Sequence, residues 1–394
     1  MLDFMGNEKN ENLKCPYRKS CGGCQLLNMT HSEQLTHKQR TAVRLLGKFG
    51  HVSEIIGMDY PYHYRNKAQY AFKFFRGKIL CGVYQSSSHR VVDIESCLIT
   101  SPTADRIALT VKKLLKSFKL KAYDENTRQG FLRHLLIKNG FKSGEVMVVL
   151  VTGTQEFPKK RSFVNALLKA HPEITTVVQN VNNRFTSMVL GEKSEVLYGD
   201  GKITETLCGL KFRISPKAFY QINPIQTEVL YNKALELADF KGDESIIDAY
   251  CGTGTIGLIA SKSVKSVIGV EINADAVKDA RENAKLNGIK NEKFYTADAG
   301  SFMTELAEKG EKTDAVIMDP ARAGADKAFL SSLVKLSPEK VVYISCNPET
   351  LSRDLAYLTR NGYKVKKIQP VDMFPHTDHV ETVVLMSKVG VEYA

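Results

Sequence analysis

Hydrophobic and polar residues follow different rhythms in the two halves of the chain. From Tyr62, "YHYRNKAQYAFKFFRGKILCGVYQ" alternates apolar and polar positions through "QYAFKF", the period of a half-buried strand, and "RGK" supplies a turn, which predicts a hairpin. Residues 103–119 carry helical spacing. "FLRHLLIKNG" and "EVMVVLVTG" read as a second strand pair across Asn139, Gly140 and Gly144, and "SFVNALLKAH" as a helix. "TTVVQNVNN" and "SEVLYGDGKITETLCGLKFRIS" add strands with glycine turns, closing an α+β region near residues 205–215. Upstream, "HSEQLTHKQRTAVRLLGKF" (31–49) sets a serine ahead of Glu and Gln and then apolar residues at helical spacing, which predicts a capped helix.

After "SPKAFYQINPIQTEVLYNKALELA" the pattern becomes a strict alternation of strand and helix. "SIIDAY", "SVIGVEI", "KFYTAD", "DAVIMDP" and "KVVYISC" are short apolar strands, with helical segments between most of them and a glycine loop, "CGTGTIG", after the first. That grammar predicts a doubly wound parallel sheet, whose ligands sit beyond the carboxyl ends of the strands. Polar residues fall at those ends: Asp248 near the end of the first strand, then Glu271, Asp298, Asp319 and finally Cys346. The fold class expected is therefore α/β, a Rossmann-like domain over 206–394 behind an α+β domain over 1–205, with the helix at 31–49 free to pack on the second.

Gly252, Gly254 and Gly257 fit G-x-G-x-x-G after a strand, the dinucleotide fingerprint. A pyrophosphate, however, needs a helix N-terminus free of nearby carboxylates. Asp248, Glu271, Asp298 and Asp319 crowd the same rim and favour a cation. S-adenosylmethionine, a sulfonium without phosphate, fits better, with Glu271 accepting the ribose hydroxyls, Asp298 near the adenine, and the glycine loop letting backbone pass close by.

Charge narrows the partner. Lys and Arg number 55 against 43 Asp and Glu, a formal net charge of +12, which biases the protein toward polyanions and makes nucleic acid the leading partner class. Tyr64, Arg65, Lys67, Tyr70 and Lys73 are candidate RNA contacts, with a half-buried sheet as the plain alternative. No apolar run reaches the roughly 18–20 residues that a membrane span needs, and the first residues show no secretory pattern, so a cytoplasmic location and no membrane partner are expected.

Eight cysteines in such a chain argue for metal ligation or catalysis rather than disulfides. Cys15, Cys21 and Cys24 form C-x5-C-x2-C in "CPYRKSCGGC"; a fourth thiolate comes from Cys81, Cys97, Cys208 or Cys251, and Cys97 at the edge of a short strand is the favoured one. Four thiolates suit zinc or an iron–sulfur cluster, and spacing does not separate the two. Cys346 reads differently. Carbon 5 of a pyrimidine is a poor nucleophile, but a thiolate added to carbon 6 makes it reactive toward a methyl donor. A base then removes the carbon 5 proton. Glu381, at the start of the last strand in "PHTDHVETVVLM", is the expected base, with His376, Asp378 and His379 close in sequence. Arg322 in "DPARAG" and the amides after Cys346 are candidates to offset the carboxylates that raise the thiol pKa.

"DAYCGTGTIG", "MDPARAG", "SCNPETLSRD" and "HVETV", together with the cysteine spacing, resemble the RNA uracil-C5 methyltransferases that carry a 4Fe-4S cluster, over about residues 15–388. The resemblance implies a cluster on Cys15, Cys21, Cys24 and Cys97, Cys346 as nucleophile and Glu381 as base. It also implies S-adenosylmethionine contacts at Gln221, Tyr250, Gly252, Gly254, Thr255, Glu271, Asp298 and Asp319, with Asp319 also reading the uracil edge. Many rRNA-directed relatives carry a β-barrel module ahead of the cluster cysteines, whereas 14 residues precede Cys15 here, so RNA grip is expected from the central domain. The expected activity is methylation of a uridine flipped into the crevice, in 23S rRNA, by a monomer; tRNA uridine and RNA cytosine are the alternatives. The cluster is expected to be structural or RNA-docking rather than redox-active. A non-catalytic iron–sulfur RNA-binding protein is the competing class, and Cys346 with Glu381 speaks against it.

Overall fold

The computed structural model describes residues 14–86 and 88–390. The chain opens with a short helix, α1 (Arg18–Cys21), and a long one, α2 (His31–Leu46). Thr30, not Ser32, caps α2: its hydroxyl accepts from Glu33 N at 3.3 Å, and the Glu33 carboxylate accepts from Thr30 N at 2.7 Å. The central region runs β1 (Lys67–Phe75), β2 (Lys78–Tyr84), β3 (Val91–Asp93), α3 (Pro102–Ser117), β4 (Leu132–Asn139), β5 (Val146–Thr152), α4 (Lys160–Ala170), β6 (Ile174–Val181) and β7 (Lys193–Tyr198). Its seven strands are ordered β3-β2-β1-β4-β5-β6-β7, antiparallel except where α4 crosses between β5 and β6. Helices α3 and α4 cover one face, where Tyr70, Phe72, Leu135, Val148 and Phe163 form a core. Tyr70, on the inner side of β1, is therefore buried at 3% exposure, and Tyr64, ahead of β1, is buried at 1% in a separate cluster with Met58 and Ile99, so neither is free to stack on RNA.

A two-stranded hairpin follows, β8 (Ile203–Leu207) and β9 (Leu210–Ile214), then α5 (Pro224–Ala238). The C-terminal region runs β10 (Ser245–Ala249), α6 (Thr255–Ala260), β11 (Ser266–Glu271), α7 (Ala274–Leu286), β12 (Glu292–Thr296), α8 (Ala299–Glu308), β13 (Ala315–Met318), α9 (Lys327–Leu336), β14 (Lys340–Ser345), α10 (Pro348–Arg360), β15 (Tyr363–Val371) and β16 (Glu381–Lys388). Its order is β12-β11-β10-β13-β14-β16-β15, the Rossmann-like arrangement, with β10 to β14 parallel and β16 antiparallel to both β14 and β15.

Two cores sandwich this sheet. On one face, Ile246, Ile317, Val342 and Val383 share a cluster with Phe212 and Leu230 and with Leu136, Met147 and Val178 of the central sheet. The hairpin β8–β9 thus glues the two sheets together, and a boundary at 205/206 falls inside β8. On the other face, Ala42 and Leu46 of α2 join α8, α9 and α10. No helix among the described residues is long and apolar enough to cross a membrane.

Candidate active site

Parallel strands deliver their last residues to one rim. The chain leaves β10 through Tyr250, Gly252 and Gly254, all at positive φ (63°, 54° and 78°), a tight turn that favours glycine and that Gly254 completes as the N-cap of α6. Asp248 sits beneath this loop rather than in the cleft: its Oδ2 accepts from Gly257 N at 2.9 Å. A Cβ at Gly257 would stand 2.7 Å from that oxygen and 2.5 Å from Glu292 Oε1, which explains the third glycine. Burial pushes the Asp248 carboxyl up to about 8, helped by Asp319 and Glu271, and Glu292 up to about 9, helped by Asp248. Both are neutral acids near pH 7, part of the support for the loop.

Above the loop lies a cleft of about 770 Å³ lined by Gln221, Tyr250, Gly252, Thr255, Glu271, Asp319, Cys346 and Glu381, residues singled out in the sequence, together with others that were not. Glu271 accepts from Gly252 N at 3.2 Å and Asn273 N at 2.8 Å, which holds it at the end of β11. Thr255 Oγ1 lies 3.3 Å from the Tyr231 hydroxyl, and Gln221 Nε2 reaches Asp319 Oδ2 at 3.5 Å. Two expected contacts stand outside the lining. Gly254 turns the chain into α6, and Asp298 is exposed and caps α8 through Ser301 N at 2.8 Å, although it lies within Coulombic range of Tyr250.

The antiparallel insertion of β16 brings the two chemical residues together. Ser345 pairs with Thr382, so one step further along β14 and one step back along β16 set Cys346 opposite Glu381. Burial raises the Cys346 thiol to about 11; Glu381 and Asp319 add to the rise, and Arg322 opposes it. Burial alone lifts Asp319 to about 7. Glu381, 3% exposed, is held well above the usual carboxylate range by burial and then by Asp319. Sequence reasoning did not place Phe219, Phe374, Thr377 or Tyr231 in the cleft; Arg65, a candidate RNA contact in the sequence, lies ahead of β1 and lines the cleft too. Phe219, 65% exposed at the mouth, stands two residues before Gln221 in the quoted "AFYQIN", and that nearness was its only signal.

The N-terminal thiols lie against this cleft. Gly23, between Cys21 and Cys24, is part of its lining, and Cys24 and Cys97 pack with Phe374 around Met58, Tyr64 and Ile99. Burial raises Cys15, Cys21 and Cys24, the last to about 12, and in each Cys97 adds to the rise. Cys81 is buried in the central core instead. Among the described residues no group of three or more His, Cys, Asp or Glu is arranged to hold a metal ion.

Fold and cleft together define the class, that of S-adenosylmethionine-dependent methyltransferases acting on RNA. The tRNA (uracil-5-)-methyltransferase family model matches residues 30–389, and the chain belongs to that family. It is 44% identical to an uncharacterized RNA methyltransferase of Clostridium tetani over 95% of this chain and 83% of that one. A second such relative, in Halalkalibacterium halodurans, is 42% identical over 94% and 82%. Among solved structures, the tRNA (uracil-54, C5)-methyltransferase of Pyrococcus abyssi in complex with S-adenosyl-L-homocysteine superposes with a TM-score of 0.77, at 28% identity, over 93% of this chain and 86% of that one.

Proposed function

We propose that this cleft methylates carbon 5 of a uridine in RNA, with Cys346 as nucleophile and Glu381 as base. The register that sets Cys346 opposite Glu381 inside one cleft carries the reading. The Cys346 thiol gives its proton to water, aided by Arg322, and its sulfur bonds to carbon 6 of the uracil, moving the carbon 5–carbon 6 electron pair toward the ring carbonyl. Carbon 5 then forms its bond to the methyl group as the methyl–sulfonium bond of the donor breaks, leaving a neutral thioether. Glu381 as carboxylate takes the carbon 5 proton, the carbon 5–carbon 6 double bond returns, and the thiolate leaves. S-adenosylmethionine, when bound, supplies an electrophilic methyl on a sulfonium whose positive charge favours the ionised form of the carboxylates around it.

In this reading Glu271 holds the ribose hydroxyls of that donor, Gly252 and Thr255 form its floor with Gly254 shaping the turn between them, and Tyr250 and Gln221 flank it. Asp298 reaches it only at the rim. Asp319 faces both donor and uracil. We assign Cys15, Cys21, Cys24 and Cys97 to a 4Fe-4S cluster: each is partly exposed, Cys97 adds to the rise of the other three, and thiols raised in this way become stable thiolates once a cationic group neutralises them.

We take 23S rRNA as the substrate, with tRNA, on which the Pyrococcus abyssi neighbour acts, as the alternative. Mapping 5-methyluridine in total RNA from cells with and without the protein decides between them. The chemistry is tested with 5-fluorouridine-substituted RNA and the methyl donor: a protein–RNA adduct that survives denaturation is expected, lost in Cys346→Ala. An adduct retained by that variant would overturn the assignment.

A further inference from the structure

Residues 372–380 join β15 to β16, contribute Phe374, Thr377 and His379 to the cleft, and end at Glu381. This connection is irregular, yet five consecutive carbonyls along it each accept a hydrogen bond from elsewhere in the chain. Asp372 O takes Gln226 Nε2 at 3.0 Å, Met373 O takes Asn223 Nδ2 at 2.9 Å, and Phe374 O takes Lys38 Nζ at 3.0 Å. Pro375 O takes the Tyr64 hydroxyl at 3.0 Å, and His376 O takes Leu26 N at 3.0 Å. Three of the five donors come from before the central sheet.

Helix α2 adds two grips on side chains. Lys38 Nζ meets Asp372 Oδ1 at 2.5 Å, both side chains fully buried. Gln34 Oε1 accepts from His376 N at 2.9 Å while its Nε2 meets His376 Nδ1 at 3.1 Å. His376 has a φ of 69°, an unfavourable conformation for a residue with a side chain, and it persists only where surrounding contacts over-determine it. A buried ion pair is a poor source of net stability, because desolvation offsets the Coulombic attraction. Its geometry is nevertheless exacting, and here it fixes a nine-residue run whose next residue is Glu381.

We propose that Lys38 and Gln34 are positioning residues for Glu381, so that the N-terminal arm, with the helix that follows its thiols, completes the active site of the C-terminal sheet. The inference rests on Glu381 acting as the base. The arm aims the carboxylate at the carbon 5 proton; without it, nucleophilic attack and methyl transfer proceed and the final elimination stalls.

The test compares Glu381→Gln with the paired change Lys38→Met and Asp372→Asn, which removes both charges at nearly constant volume and leaves no buried charge unpaired. With natural uridine RNA and methyl donor, the paired variant is expected to unfold near the wild-type temperature and to keep its KM for RNA. It should lose roughly 10²-fold in kcat, the scale expected for a misplaced catalytic group, and accumulate a methylated Cys346–RNA adduct, as Glu381→Gln does. A purely structural role would lower stability without trapping that adduct. Wild-type kcat with no adduct in the paired variant, while Glu381→Gln traps one, overturns the positioning role alone; no adduct in Glu381→Gln overturns the base assignment and the positioning role with it. Should the paired variant not fold, Gln34→Met carries the test, with a smaller fall in kcat plus adduct expected and wild-type turnover as the refuting result.

Discussion

The central sheet buries bases. Lys138 is pushed down to about 7 by burial and then by Lys67, with its Nζ donating to Ser215 O at 2.8 Å and Ala218 O at 2.9 Å, and burial takes His134 down to about 4. The C-terminal sheet buries acids: Asp248, Glu292, Asp319 and Glu381 all lie above their usual range. Two seven-stranded sheets of similar size, glued by one hairpin, thus specialise in opposite ways. The difference follows from strand direction. Five parallel strands bring all their carboxyl ends to one rim, so side chains at successive ends share a cleft and shift one another. The largely antiparallel central sheet sends its strand ends both ways and gathers no such set, so its job is a frame that holds Arg65 and the thiol-bearing arm against that cleft.

The largest expected effect separates the two sheets cleanly. Cys346→Ala should lower methylation by roughly 10⁴- to 10⁶-fold, the scale seen when a nucleophile is deleted, with unchanged thermal unfolding, as measured by methyl transfer to RNA and by calorimetry. Next, Glu381→Gln should slow turnover by roughly 10²- to 10⁴-fold while the methylated adduct accumulates on a denaturing gel; fast turnover would remove the base. In the central sheet, Phe163→Ala should do the reverse, costing about 3–5 kcal/mol of stability while molecules that remain folded methylate at the normal rate. Phe163 on α4 is fully buried against Phe118 and Phe157, in the core that α3 and α4 form on the central sheet. A variant that kept its stability, or lost specific activity, would blur the division between frame and chemistry.

A smaller effect tests how the rim tunes its thiol. Arg322 acts to lower Cys346 against burial, Glu381 and Asp319. Arg322→Ala should raise the thiol pKa further and reduce the thiolate fraction at a given pH. Adduct formation with 5-fluorouridine RNA should slow several-fold near pH 7.5, and the deficit should shrink as pH rises toward the thiol pKa.

Much of this was legible before any coordinates, for a physical reason. A parallel sheet writes its rim into the sequence, since each apolar run ends where the rim begins; Glu271, Asp319 and Cys346 could be read off directly. Glu381 was legible as the start of the last strand, but its place opposite Cys346 depends on β16 inserting between β14 and β15 in the antiparallel sense, which spacing does not encode. Asp298 also closes an apolar strand, yet the same position serves as a helix cap, and a short polar side chain suits both roles. Tyr70 failed as a surface contact because an aromatic beside a basic residue looks the same on either side of a sheet, and Tyr64 because it is buried ahead of β1 with its hydroxyl on Pro375 O. The nearness of the N-terminal loop to the cleft was not legible at all: Cys24 and Cys346 are far apart in sequence, and Gly23 and Cys346 line one cleft.

The smallest expected effect follows from the same contrast between buried acids and bases. A carboxyl raised on folding binds more protons in the folded chain than in the unfolded one, so its contribution to stability is complete below the unfolded value near 4 and is lost as pH rises through the folded value. For Glu292 that window runs from about 4.5 up to about 9. A lysine lowered on folding has the opposite sign: the folded chain binds fewer protons between about 7 and the ordinary lysine value of 10.5, so stability gains with pH across that range. Glu292→Gln should therefore remove a falling contribution, and its melting temperature relative to wild type should improve steadily from pH 5 to pH 9. Lys138→Met loses the bonds to Ser215 O and Ala218 O at every pH, but relative to wild type it should fare worse as pH rises from 7 toward 10, since the wild type alone gains there. Thermal unfolding of both variants across that range measures the two slopes. Slopes of the same sign would mean that the sheets do not differ in the charge type they bury as neutral groups.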